Sequence, residues 1–516
     1  MAPFTYRFTS VFNPKKFKKI VHSDHRYTVF YENSETCSCS LLDTFDNELM
    51  QAGRLLFKAE KLLIAFDMKT GQFAEQKVRR HWSFVSELDE GPVFNLLAGV
   101  SPLRALAPIG VVDVQKGQGN LLDDEGKTRV RLINLTLING KKSVTVGSSR
   151  PLRGYDRAHG DLKKWLSALD AIPCQDLVEL YTSLGVAVHK YNPKPRLQLA
   201  AQDSIKKNTT IIIKTFLRVA RANEDGVIAD IDTEFLHDYR VSFRKIRSVL
   251  SLFKGVYSQE DSVRLKHDFS ELMQQTNKLR DLDVYLLNKE EYYSLVPKTT
   301  HAGLAILFNG FEKERRAEHE NVAKYLKSKV YRKQLKKWQT LFGNEDNIES
   351  GPKSGEFTSG FARRILSQRY KKVCKIARSI DATTEDDVVH QLRIHCKKLR
   401  YLMEFFTTLF PADEIKQRIK SLKRLQDNLG RFNDYSVQQI FLKNVLAGQP
   451  AGSTKGIKVA ESIGALTAML HRLQNKERRL VMKNFERFDS PEIRESFDKL
   501  FKNEVIANEN PGLLQQ

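Results

Sequence analysis

The stretch FLHDYRVSFRKIRSVLSLF, residues 235–253, recurs later in the chain as VVHQLRIHCKKLRYLMEFF, residues 388–406. The two align without a gap at an offset of 153 residues, which pairs His237 with His390. Apolar positions match between the charged ones, and the same offset places Asp281 on Asp434. The chain therefore contains an internal duplication, and each copy includes the same basic helix.

The cations of each copy share one helix face, because positions i, i+3, i+7 and i+10 are neighbours on a helix surface. These positions hold His237, Arg240, Arg244 and Arg247 in the first copy and His390, Arg393, Lys397 and Arg400 in the second. Like charges on one stripe repel, and only Glu404 offers a carboxylate nearby. A solvated basic face is the usual explanation for such a run. Its repetition with a histidine at the same position instead favours a polyanion-binding surface lined by both copies.

Length and charge restrict the class of protein. The chain has 516 residues, enough for two to four domains, and 41% of them are hydrophobic. The formal net charge is +22, of which residues 1–200 contribute +7 and residues 201–516 contribute +15. Such an excess predicts an anionic partner: nucleic acid, an anionic membrane or a phosphate polymer.

Cysteine and histidine spacing argues against a metal or disulfide framework. The five cysteines are scattered: Cys37, Cys39, Cys174, Cys374 and Cys396. Cys37 and Cys39 form a C-x-C pair without a matching second pair, and the histidines show no ligand spacing, so we predict neither metal nor cofactor. No stretch has the apolar length of a signal peptide or membrane span, which predicts a cytoplasmic protein that does not enter a membrane.

The predicted secondary structure changes once along the chain, from β-strands to helices. Residues 1–190 show short β-type runs separated by turn signals, whereas residues 204–507 show helical periodicity. The proline-containing segment 191–203 is the predicted linker. Within the helical part, we assign repeat 1 to residues 204–342 and repeat 2 to residues 356–505.

Three local predictions concern details of these parts. Asn139-Gly140 is a favoured type I′ pair and predicts a β-hairpin. Lys127, Arg129 and Arg131 alternate along a predicted strand and therefore share one face. In the helical part, residues 266–287 are predicted to form a single helix.

The helical part resembles the CHAD domain, the conserved-histidine α-helical domain. The resemblance rests on the pattern H-x-x-R-[VI]-x-x-[RK]-[RK]-[IL]-R, present twice, and on LxxLxDxLGxxND at residues 422–434. It implies two four-helix bundles related by pseudo-two-fold symmetry and a basic surface that binds inorganic polyphosphate. Carried over by position, the binding residues are His237, Arg240, Arg244, Lys245, Arg247, His390, Arg393, Lys397, Lys398 and Arg400.

The first 190 residues resemble a CYTH domain of the triphosphate tunnel group, through LDTFD at 42–46, AGRLLFK at 52–58 and PLRGY at 151–155. This implies an antiparallel β-barrel. The family's ExExK strand should lie at residues 4–10, where this chain reads FTYRFTS and offers no glutamate pair for Mg²⁺ or Mn²⁺. We therefore expect no catalysis there. A secondary phosphate-binding set remains an even alternative to an exposed strand face: Lys58, Lys127, Arg129 and Arg131.

The sequence thus predicts an α+β chain, a CYTH-like β-barrel followed by an all-α CHAD domain, that binds polyphosphate without catalysis and associates with polyphosphate granules. Arg supplies a planar fork to phosphate oxygens and Lys a point charge. RNA binding is the main rival, and it usually adds exposed aromatic side chains for stacking. A third alternative is a CYTH-type triphosphatase with CHAD as an accessory domain. Oligomeric state is left open.

Overall fold

The computed structural model describes residues 3–8, 11–173, 176–188, 190–381, 383–448 and 453–501. The chain divides into two compact units, Met1–Pro193 and Lys194–Gln516, and the division falls within the segment YNPKPR. Cys174, the last two positions of the 4–10 segment and the end of the predicted helical part beyond residue 501 lie outside the described residues.

The first unit is built on one antiparallel sheet, the β class that the sequence predicts. Its strands are β1 (Phe4–Phe8), β2 (Tyr27–Asn33), β3 (Cys37–Thr44), β4 (Arg54–Ala59), β5 (Leu62–Asp67), β6 (Gln72–Lys77), β7 (Leu106–Asp123), β8 (Thr128–Asn139), β9 (Lys142–Pro151) and β10 (Ile172–Pro173). The strand order is β10-β1-β9-β8-β7-β3-β4-β5-β6, and β2 pairs with the second half of the long strand β7. Ser148 Oγ donates to the Gly71 carbonyl, 2.8 Å away, so the β5–β6 turn reaches β9.

Short helices cover this sheet: α1 (Pro14–His22), α2 (Glu48–Ala52), α3 (Pro92–Leu96), α4 (Asp156–Ser167) and α5 (Leu177–Leu184). Phe17 of α1 and Leu162 of α4 are fully buried in one apolar cluster with β1 and β2. Leu180 of α5 belongs to a second cluster that includes Leu135 of β8. Burying apolar side chains from both helices and strands is what stabilises the unit.

A polar network lies within the first of these clusters. The Tyr6 hydroxyl donates to Asn134 Oδ1 at 2.8 Å, and Asn134 Nδ2 donates to the Tyr31 hydroxyl oxygen at 2.9 Å. Gly147 opposes this network, and a side chain there would collide with Asn134 Oδ1. The inner position of β1 is thus occupied by a hydrogen-bonded tyrosine, which satisfies each buried polar group.

One local prediction in this unit, the β-hairpin at Asn139-Gly140, is confirmed with a different turn, and the other, the alternation of Lys127 with Arg129 and Arg131, is wrong. The β8–β9 hairpin forms, but Asn139 pairs with Lys142 at the strand ends, so its two-residue loop is Gly140-Lys141. Only Gly140 has a positive φ, which fits a type II′ rather than a type I′ turn. Lys127 precedes β8 and lies at a turn whose backbone is held by Asp123, so it does not continue the alternation of Arg129 and Arg131.

The second unit is helical, as predicted. Its helices are α6 (Ile205–Ala222), α7 (Glu224–Ile228), α8 (Thr233–Leu252), α9 (Gln259–Gln274), α10 (Asn277–Leu287), α11 (Lys289–Leu295), α12 (His301–Lys327), α13 (Lys329–Leu341), α14 (Thr358–Arg378), α15 (Asp386–Phe405), α16 (Ala412–Ala447), α17 (Thr454–Phe488) and α18 (Pro491–Phe501). No helix in the described ranges combines the length and apolar content needed to cross a membrane.

The duplication is visible as a repeated helix order. In the first copy α6, α8, α9 with α10, and α12 follow one another, and in the second α14, α15, α16 and α17 do so. Equivalent residues meet each other: Ser204 bridges Phe357, and the rings of Phe253 and Phe406 stack at 5.3 Å and 9°. Both pairs are separated by the duplication offset of 153 residues. Residues contact their own equivalents only near a two-fold axis, so the two copies are related by a pseudo-two-fold axis.

The predicted single helix over 266–287 is wrong, since α9 ends at Gln274 and α10 begins at Asn277. Thr276 marks the break: its hydroxyl donates to the Met273 carbonyl at 3.0 Å. In the second copy the corresponding segment is the uninterrupted helix α16. Arg240 of α8 also donates to the Met273 carbonyl and to Thr276 Oγ1 at this break, so the interruption is held by contacts from α8.

Candidate polyanion-binding site

Apolar packing fixes the direction in which the two basic helices present their cations. Asp232 caps α8 by accepting from the amides of Glu234 and Phe235 at 2.9 and 3.2 Å. Phe243 on α8 and Leu399 on α15 are fully buried, and α8 contacts α15 directly. The basic face of each helix is therefore turned toward the other copy.

Four cations from the two copies form what we call the shared cluster: Arg244, Arg393, Lys397 and Arg400. Arg244 belongs to α8, and the other three belong to α15. Arg244 and Lys397 are equivalents under the duplication, so this cluster lies on the same pseudo-two-fold axis as the Phe253–Phe406 pair. The structure thus brings the two predicted stripes together.

Lys397 is a partly buried lysine surrounded by the three arginines of the shared cluster. Burial is the largest cause that lowers its pKa, and the positive charges of the three arginines add to it, to about 8. Burial and Arg244 likewise lower the pKa of Arg393, against the opposing effect of Asp434, whose carboxylate lies 3.7 Å away. The lowered pKa means that the charged form of this lysine is disfavoured in the ligand-free protein. A bound anion would stabilise that charged form.

Glu404 supplies the carboxylate on the border of the shared cluster. It lies 3.3 Å from Arg400 Nε on its own helix and 3.5 Å from Lys245 Nζ on α8. The sequence identified Glu404 as the carboxylate near the stripes, and the structure shows that it joins the two copies. One carboxylate shared by two cations leaves the cluster with a positive excess.

Arg240 and Lys245 are not presented at the surface, which departs from the prediction that both contact the ligand. The Arg240 guanidinium is buried and donates to the Met273 carbonyl, to Thr276 Oγ1 and to Asn277 Oδ1, at 3.0, 2.5 and 2.7 Å. These bonds attach α8 to the break between α9 and α10. The Lys245 ammonium lies 4.8 Å above the Phe216 ring and pairs with Glu404. Both side chains are occupied inside the protein, so we leave them out of the proposed contact set.

The two histidines occupy equivalent places and bond to equivalent partners. His237 Nδ1 accepts from Arg280 Nη2 at 3.0 Å, because a guanidinium can only donate. His390 Nδ1 lies 2.7 Å from Asn433 Oδ1, to which it donates. Arg280 and Asn433 are themselves related by the 153-residue offset. Each histidine therefore links the basic helix to an equivalent segment of its own copy, α10 in the first and α16 in the second, and this pairing was present in the alignment but not predicted.

The remaining predicted residues lie on either side of the shared cluster. Arg247 is beside Arg244, and burial followed by that charge lowers its pKa. Lys398 belongs instead to a separate basic group with Arg369 and Lys254, which lower its pKa after burial. Arg369 Nη1 also donates to His395 Nδ1 at 2.8 Å. Lys397 and Lys398 are adjacent in sequence but point to different surroundings, as a 100° step between neighbouring helical residues requires.

The secondary phosphate-binding set in the first unit is not brought together. Lys58 lies over the Trp82 ring at 5.3 Å, and Lys127 pairs with Glu125 at 2.5 Å. Arg129 pairs with Asp123 and stacks on Tyr155, while Arg131 is exposed. Three of the four cations therefore have partners within the first unit, and Arg129 is largely buried against Tyr155 rather than displayed on an exposed strand face.

Comparison with known proteins identifies the helical unit. Residues 211–443 match the family model of the CHAD domain, so this chain contains a CHAD domain. Among solved structures, the crystal structure of the CHAD domain from the plant Ricinus communis is 24% identical, covering 58% of this chain and 97% of that chain, with a TM-score of 0.48. PptA from Streptomyces chartreusis is 14% identical, covering 55% and 99%, with a TM-score of 0.44. A search of curated proteins finds no match.

Proposed function

We propose that this chain binds inorganic polyphosphate through the shared cluster. The observation that carries the proposal is the environment of Lys397, which lies among three arginines drawn from both copies. A run of phosphates would supply the missing negative charge and relieve the mutual repulsion of these cations. Arg247, beside Arg244, extends the contact set.

Within the described part of the basic helices the aromatic side chains are buried, which favours a phosphate polymer over nucleic acid. Tyr239 and Tyr401 are buried, as are Phe243, Phe405 and Phe406. Tyr239 donates from its hydroxyl to Tyr331, so its ring is fixed within the helical core. Proteins that bind single-stranded nucleic acid without a groove-reading helix usually stack bases on exposed rings. These aromatic side chains are committed to packing, which supports a ligand without bases.

A competition experiment tests the proposal. The full chain is titrated with labelled long-chain polyphosphate, and tRNA or duplex DNA is added as competitor at physiological salt. We expect polyphosphate to be preferred and the logarithm of its affinity to fall linearly with the logarithm of salt concentration, because bound counterions are released. Equal or better competition by tRNA would replace this proposal with RNA binding.

We also propose that the first unit does not hydrolyse triphosphates. The buried Tyr6–Asn134–Tyr31 network occupies the strand where the resemblance places metal-binding glutamates. On the same strand, Arg7 pairs with Glu179. Phosphate release from tripolyphosphate is measured with Mg²⁺ or Mn²⁺. Release above background that is lost in a Glu179→Gln variant would instead support a triphosphatase. Association with polyphosphate granules is the localisation that binding alone would produce.

A further inference from the structure

A second basic surface lies between α16 and α17, the two long helices of the second copy. They enclose a groove of about 500 Å³. Six cations line it, and all are exposed: Lys420, Lys423, Arg424, Arg431, Lys483 and Arg487. We refer to this feature as the α16–α17 groove. The α17 half of it lies outside residues 211–443, the part of the chain that matches the CHAD family model.

The groove carries a large excess of positive charge. Asp427 is the carboxylate among its lining residues, and Arg431 is engaged by Glu477 at 3.0 Å. Within the described ranges, the other five cations form no ion pair. Lys483 and Arg487 are four residues apart, a spacing at which like charges destabilise a helix. Cations on both walls that oppose one another across an open groove form a favourable place for an extended anion.

Helix geometry connects the groove to the shared cluster. At 100° per residue, the groove positions of α16 fall within a sector of about 100° that also includes Asp434. Asp434 contacts Arg393 of the shared cluster at 3.7 Å. From Asp434 to Lys420 the helix rises by about 21 Å. The row on α16 therefore begins beside the shared cluster and leads away from it along one face.

We infer that the α16–α17 groove is an extension site for the polyphosphate chain, occupied when the chain is long enough to leave the shared cluster. This inference rests on the proposed function and adds a chain-length preference to it. The ligand class is an unsubstituted phosphate chain, because the lining residues include no aromatic ring on which a base could stack. Tripolyphosphate is much shorter than the row and fills the shared cluster without reaching the groove.

The test compares two variants of the full chain that lose the same charge. The groove variant carries Lys423→Gln, Arg424→Gln and Lys483→Gln. The control variant carries Lys333→Gln, Lys336→Gln and Lys337→Gln on the exposed face of α13. Binding of long-chain polyphosphate and of tripolyphosphate is measured for both variants over a range of salt concentrations, and far-UV circular dichroism confirms folding.

We expect the groove variant to bind long-chain polyphosphate roughly tenfold more weakly, with a salt slope smaller by about 2, since three phosphate contacts are lost. Its affinity for tripolyphosphate should stay at the wild-type value, and the α13 control should retain both affinities. A groove variant that matches the control with the long chain overturns the inference. An equal loss with tripolyphosphate overturns it too. If Lys397→Met has no effect on either ligand while the groove variant does, the proposed shared-cluster function fails instead.

Discussion

Replacing Lys397 by methionine should stabilise the ligand-free protein and weaken polyphosphate binding. Methionine keeps the length and apolar character of the lysine stem but removes the charge that Arg244, Arg393 and Arg400 oppose. A residue with a purely structural role would give the opposite sign of stability change. The sign of the stability change in Lys397→Met therefore shows whether Lys397 serves ligand binding or an internal contact.

The magnitude follows from the pKa of Lys397. Lowering it from 10.5 to about 8 corresponds to roughly 3 kcal/mol against the charged form. The side chain is only partly buried, so we expect water to reduce this to about 1–2 kcal/mol. Unfolded lysine keeps its ordinary pKa, so between pH 8 and 10.5 the unfolded chain binds more protons, and stability rises with pH. The gain from Lys397→Met is therefore largest below pH 8 and shrinks above it.

Thermal unfolding of the full chain, followed by far-UV circular dichroism in phosphate-free buffer, measures this effect. Lys375→Met, an exposed change on α14, is the matched control and should leave the transition unchanged. A helical transition that falls by several degrees in Lys397→Met would refute the reasoning, because it would show that Lys397 contributes favourably to the fold.

Binding supplies the second half of the test. Losing one charge-assisted contact costs about 1.5–3 kcal/mol, which is roughly a tenfold to hundredfold loss of affinity. Bound phosphate also favours the protonated lysine, so wild-type affinity should fall as pH rises above 8, the pKa of free Lys397. Arg244, Arg393, Arg400 and Asp434 face this group, and Lys397→Arg keeps its charge in the same surroundings. A pH profile of Lys397→Arg as steep as that of the wild type would assign the titration elsewhere.

Three further predictions use the same assays. Arg240→Ala should lower stability by about 2–4 kcal/mol, because it removes three buried hydrogen bonds, and an unchanged unfolding transition would contradict that. Glu404→Gln should strengthen polyphosphate binding severalfold at low salt by raising the positive potential around Arg400, whereas weaker binding would show that Glu404 orients the site. Exchanging the axis pair, Arg244→Lys with Lys397→Arg, should change affinity by less than about threefold, because the charges on the axis are conserved.

The helical class and the meeting of the two basic helices were predictable from the sequence, whereas the contacts of individual cations were not. The spacing of identical residues at a constant offset indicates two equivalent helices, and it placed Arg244 and Lys397 in the same contact region. Periodicity reports which face a residue occupies but not what lies opposite. Arg240 and Arg393 are equivalent in sequence, yet Arg240 reaches the break between α9 and α10, whereas Arg393 faces the uninterrupted helix α16.

Some of the missed information was present in the sequence. The offset that pairs His237 with His390 also pairs Arg280 with Asn433, and those four residues form the two equivalent histidine contacts. The break at Thr276 was harder to foresee, because the residues on both sides of it keep a helical pattern. The α16–α17 groove required tertiary structure, since its two walls are separated by about fifty residues of chain.

The position of the shared cluster on the pseudo-two-fold axis bears on the choice of ligand. Arg244 and Lys397 are equivalents that meet there, as Ser204 and Phe357 meet elsewhere on the same axis. This axis pair presents a similar pair of charges to a chain that enters from either direction, although the other cations of the cluster, Arg393 and Arg400, come from the second copy alone. A polyphosphate chain is chemically the same in both directions. A single RNA strand has a 5′ and a 3′ end and therefore presents different groups to the two copies. An axis pair of cations, with the aromatic side chains of the basic helices kept in the core, is therefore better matched to a phosphate chain than to a nucleic-acid strand.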